Sequence, residues 1–129
     1  MKTAKNAPQN ATQHKTAGPY SPVLKIKCSE LIVISGQASL NMDGAIIGET
    51  IEEQTALTLD NCFKQLAAAN CTKDDIFKVN VYLSDINMWS RFNKVYIERM
   101  PEPYPTRTAI GTQLLPGLLV EIEMWAAKP

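Results

Sequence analysis

"DDIFKVNVYLSD", Asp74 to Asp85, is the stretch from which the fold can be read. Ile76, Lys78, Asn80 and Tyr82 alternate with Phe77, Val79, Val81 and Leu83, the period of two expected of a half-buried strand. On both sides the period lengthens. Upstream, Thr50 and Glu53 have capping-box spacing, which satisfies free amides at a helix start. From Ile51 to about Ala69, Leu59, Cys62, Phe63 and Leu66 then make one apolar helical stripe. Downstream, a second helix is expected from about Asn87 to Met100, capped by Asp85, with Trp89, Phe92, Tyr96 and Met100 on one face and Ile97 alongside.

Working outward, Pro101, Pro103 and Pro105 stop the second helix. They lead into "TRTAIGT", Thr106 to Thr112, where Thr106, Thr108 and Ile110 share one strand face and Arg107, Ala109 and Gly111 the other. "GLLVEIEMWAAK" supplies a last strand. Nearer the start, "SPVLKIKCSELIVISGQASLN" reads as two strands around a turn near Ser29 and Glu30, and Asp43-Gly44 marks a turn with a further short strand after it. Several strands, helix, strand, helix and two strands predict an α+β fold, a mixed sheet of about six strands with both helices on one face. The other sheet face then needs a cover, which self-association would provide.

At 129 residues the chain has the size of one domain. We expect residues 1–17 to form a flexible, polar N-terminal extension and residues 18–129 a single domain. Thirteen basic residues balance thirteen acidic ones, so neither nucleic acid nor an anionic membrane gains from the overall charge. No apolar run approaches the roughly 18–20 residues of a membrane span. Cys28, Cys62 and Cys71 are an odd set without CxxC spacing, read as reduced thiols of a cytoplasmic protein. The first eighteen residues are basic and free of acids, a composition shared with organelle transit peptides. His14 is the sole histidine and lies in this segment, so no Ser-His-Asp triad or two-histidine site can be built within one chain. There is no P-loop or GxGxxG, and no metal-ligand cluster. Any chemistry must come from Arg, Glu, Tyr, Ser, Asn, backbone groups and water.

Six positions carry that possibility. Arg107 offers a planar fork that matches a carboxylate, or else a cross-strand ion pair. Glu121 and Glu123 share a strand face, as a solvated pair or as holders of a water. Asn93 falls on or beside the apolar stripe of the second helix, where a buried amide needs a partner. Tyr20 sits in a Gly-Pro turn. Ser35 ends a strand just before Gly36, where backbone can approach a ligand.

Five motifs in order, "AGPYSP", "VISGQ", "FNKVY", "PYPTRTAIG" and "LLVEIEMWA", resemble the Rid family, also called YjgF or endoribonuclease L-PSP, over about Gly18 to Ala127. The resemblance implies a chorismate-mutase-like fold assembled as a homotrimer around a central barrel, with clefts between subunits. It also implies cofactor-free hydrolysis of enamines and imines such as 2-aminoacrylate to 2-oxo acids and ammonia. By position, Arg107 matches the residue that grips the substrate carboxylate and Glu121 the one that positions water. Tyr20, Ser35, Gly36 and Asn93 match residues that line the cleft. The expected partner is a small imine or 2-oxo acid. A 2-oxo-acid-binding regulatory module and the ribonuclease role of the older family name are the alternatives, and neutral charge opposes the latter. Two departures stand out: many bacterial members have cysteine where this chain has Ala109, and the segment before Gly18 is longer than usual.

Overall fold

A computed structural model of the chain describes residues 3–129. Strand β1 (Lys5–Asn6) pairs antiparallel with β2 (Lys25–Ile26) as a separate ribbon. The main sheet holds β3 (Glu30–Gln37), β4 (Ile76–Leu83), β5 (Thr106–Gly111) and β6 (Val120–Lys128) in the order β3-β6-β4-β5. β6 runs antiparallel to both its neighbours, whereas β4 and β5 are parallel. Parallel neighbours need a crossover. Helix α2 (Trp89–Arg99) supplies the one between β4 and β5, and α1 (Ile51–Ala68) the longer one from β3 to β4.

The sheet is therefore mixed, as expected, but has four strands rather than about six. The first expected strand is diverted into the ribbon, and the segment after Asp43-Gly44 makes an isolated bridge, Leu40 to Ile46. Thr50 caps α1 by accepting from the Glu53 amide at 3.1 Å. Asp85 caps a short 3-10 turn, Ile86–Met88, which feeds α2 two residues later than the sequence suggests. Both helices pack on one sheet face, where Leu59, Cys62, Leu66, Phe92 and Tyr96 join Val79, Val81, Ile122 and Met124 in a fully enclosed core. Losing one large side chain there typically costs about 2–5 kcal/mol.

One expected alternation is broken. A bulge between Ile76 and Lys78 turns Ile76 into the core, while Phe77 packs on Trp125 with ring centroids 6.5 Å apart. The face away from the helices stays uncovered and partly apolar: Leu31 is 59% and Val33 60% exposed.

The segment expected as a flexible extension also departs from expectation. Ala4 and Lys5 are buried, and the Lys5 ammonium donates to the Ile76 carbonyl at 2.8 Å and the Pro103 carbonyl at 3.2 Å. Burial pulls its pKa down, against the pull of Asp74 and Asp75. Residues 4–6 are thus part of the packed domain.

Candidate functional site

Arg107 lies on the edge strand β5, and its register partner Val79 belongs to the core. Its side chain consequently leaves the sheet on the helix side. Three aromatic rings surround the guanidinium: Tyr96 at 4.9 Å, Tyr20 at 5.4 Å and Phe92 at 5.7 Å from their centroids. Such rings attract a cation through their quadrupoles. Asn93, itself buried, accepts from Nη1 at 2.8 Å. Gly18 forms the roof. A Cβ there would sit 2.9 Å from Trp89 and 3.1 Å from Arg107 Nη2, so glycine permits the close approach.

What this arginine lacks is a counter-charge. No carboxylate pairs with it among the described residues, and its buried Nε has no hydrogen-bond partner. Burial pulls its pKa below the ordinary arginine value, though a guanidinium keeps its proton in proteins. Leaving a buried polar donor unmade is costly. An incoming carboxylate would satisfy it in the bidentate geometry that guanidinium favours. The ion-pair alternative for Arg107 is therefore not realised among the described residues.

Glu121 is elsewhere. It faces Tyr82 across the β4–β6 pair, on the open side of the sheet. There Gly36 leaves room for its carboxylate, which a Cβ at that position would overlap. Gly36, Tyr82, Glu121 and Glu123 line a cavity of about 680 Å³. Tyr82 donates to Glu123 Oε1 at 2.6 Å and Asn80 Nδ2 to the same oxygen at 3.0 Å. Those bonds, Tyr82's first, hold Glu123 below the usual carboxylate range and raise the Tyr82 phenol. Ser35 is exposed on β3.

The sequence-derived residues thus form two groups. Arg107, Asn93 and Tyr20 come together, as do Gly36 and Glu121, but the groups lie on different faces of the sheet. β5 and β6 are two strand spacings apart, roughly 10 Å, and β3, with Ser35, is the opposite edge. Within one chain the two halves do not meet. Sequence reasoning missed Gly18, the aromatic surround of Arg107, and the Tyr82–Glu123–Asn80 network. The alternation of β4 does place Asn80 and Tyr82 on one face, but their partner on β6 requires the register.

The structure is an α+β domain with two crossovers on one sheet face and, on its edge strand, an aromatic-ringed arginine that no carboxylate pairs among the described residues. The comparisons narrow it. The family model described as Endoribonuclease L-PSP matches residues 10–128. The mitochondrial protein mmf2 of Schizosaccharomyces pombe is 37% identical over 125 residues, covering 94% of this chain and 97% of that protein. A RutC family protein of Pyrococcus horikoshii is 38% identical over 116 residues, with 88% and 90% covered. Among solved structures, RidA from the Antarctic bacterium Psychrobacter sp. PAMC 21119 superposes with a TM-score of 0.72 at 27% identity, covering 93% of this chain and 99% of that one. Yeast Mmf1 gives 0.73 at 29%, with 88% and 90% covered. The chain belongs to the Rid/YjgF family.

Proposed function

We propose that this protein hydrolyses small enamine and imine carboxylates, of the 2-aminoacrylate type, to 2-oxo acids and ammonia without a cofactor. The observation that carries this reading is the half-buried Arg107 guanidinium, its Nη1 held by Asn93, its buried Nε without a partner and no carboxylate beside it among the described residues. It is prepared for a carboxylate that arrives with the substrate. We further propose that the active unit is a homotrimer, its clefts formed where the Arg107 side of one copy meets the Glu121 side of the next. The uncovered apolar face around Leu31 and Val33 supports association.

In this cleft Arg107 fixes the substrate carboxylate, with Tyr20 and Asn93 setting the position of its fork. Ser35 and Gly36 line the opposing wall. Glu121 accepts a hydrogen bond from a water and directs its oxygen at C2 of the imine. The O–C bond forms as the C=N π pair moves to nitrogen, and Glu121 relays the proton that the water loses. The resulting carbinolamine expels ammonia as its hydroxyl proton leaves and the C=O bond forms. One water is consumed and nothing is oxidised. The imine carbon is already electrophilic, so placement supplies most of what the reaction needs.

For the compartment, cytoplasm remains our reading from the free thiols, with mitochondria as the alternative suggested by the names of the fission-yeast relatives. Among the described residues no helix is long and apolar enough to cross a membrane.

The test is ammonia and 2-oxo acid release from freshly generated 2-aminoacrylate. The wild type should accelerate it, and Arg107→Ala should lose about 100-fold or more with its oligomer intact. Equal acceleration by both would refute the assignment. Binding of 2-oxo acids without turnover by either would favour a regulatory module.

A further inference from the structure

Glu123 has no part in the hydrolysis outlined above, yet it is the more firmly held of the two carboxylates in the open-face cavity. Both of its donors, Tyr82 and Asn80, converge on Oε1, and neither brings a charge. No ion pair to Glu123 occurs among the described residues. The same cavity is lined by Glu121 and Gly36. Its wall is consequently anionic and fixed, and it belongs to the half of the cleft that receives the reacting end of the substrate.

That end changes charge during the reaction. Water attacks the nitrogen-protonated iminium, a cation, more readily than the neutral imine, and the ketone of the 2-oxo product is neutral. We propose that Glu123, positioned by Tyr82 and Asn80, determines specificity for ligands with a cationic nitrogen on C2, so that the cleft favours the iminium and discriminates against the 2-oxo product. This inference rests on the cleft proposed above. The two hydrogen bonds serve it twice, because they aim the carboxylate and keep it ionised at neutral pH. A unit charge several ångströms away at intermediate dielectric corresponds to roughly tenfold in affinity.

The experiment measures dissociation constants of two stable probes on the full chain by calorimetry: 2-aminobutanoate, whose ammonium stands in for the iminium, and 2-oxobutanoate. In the wild type the ammonium probe should bind the tighter. Glu123→Gln keeps an oxygen for Tyr82 and Asn80 but removes the charge. It should shift the ratio of the two constants about tenfold toward the 2-oxo acid, leaving the 2-oxobutanoate constant nearly unchanged. A purely structural role would weaken both probes alike and leave the ratio fixed, which would overturn the proposal. Should the variant fail to fold, the wild-type ratio still decides, because equal or tighter binding of 2-oxobutanoate overturns it too. Arg107→Ala provides the separate check, since it should lose both probes. If it binds both normally, the carboxylate-clamp reading fails, whatever Glu123 does.

Discussion

Copies carrying Arg107→Ala and copies carrying Glu121→Gln, each inactive alone, should regain activity when unfolded together and reassembled. The expectation follows from the sheet. Arg107 points to the helix side of β5 and Glu121 to the open side of β6, roughly 10 Å away across two strand spacings, and no rotamer carries one past the sheet to the other. In the ring proposed above, each cleft would take its arginine from one copy and its glutamate from the next. An intact cleft therefore needs a Glu121→Gln copy on the first side and an Arg107→Ala copy on the second. With equal, random mixing each has a chance of one half, so about one quarter of wild-type activity should return, whatever the size of the ring. The assay is 2-oxo acid release per milligram of protein, with mass spectrometry to confirm that mixed oligomers form. Mixed oligomers with no activity would refute the argument, because each cleft would then draw both residues from a single chain.

Two further outcomes are expected. Gly36→Ala places a Cβ where the Glu121 carboxylate now lies. The side chain should swing aside, leaving the thermal melt nearly unchanged and lowering turnover about 100-fold; unaltered turnover would remove Glu121 from the mechanism. On the far side of the molecule, Arg91 grips Glu52 with two hydrogen bonds of 2.7 and 2.6 Å and holds its pKa down to about 2. A carboxylate lowered on folding stabilises fully above its unfolded value of about 4.5 and loses that contribution as pH falls through its folded value. The small difference in melting temperature between wild type and Arg91→Ala should accordingly be constant near neutrality and vanish toward pH 2.

How far the sequence could be read depended on the range of the contact. Local features came through. Thr50 caps α1 and Asp85 begins the turn into α2, because capping joins residues two or three apart. Alternation correctly put Arg107 opposite Thr108, and Glu121 opposite Ile122. Pairing was another matter. Nothing local tells β2 to leave the sheet for β1, or the chain to slip at Ile76 and so exchange the faces of Ile76 and Phe77. The same holds for the site. That Arg107 and Glu121 belong to different faces of one sheet follows from the parallel register of β5 on β4 and the antiparallel register of β6, both set by distant partners. The apolar stripe of α2 was visible, but an apolar stripe does not announce that it will pack around a cation.

Lys5 has a consequence in the order of assembly. Its two carbonyl partners, on Ile76 and Pro103, lie 71 and 98 residues further along the chain. Lys5 must therefore wait for most of the domain to be synthesised before it has anywhere to bind, and contacts of such long range close slowly. The arm they anchor leads to Gly18, over Arg107, which is itself made late and packed by a helix of the second half. On a ribosome the roof of the arginine pocket is made well before the strand and helix it comes to cover.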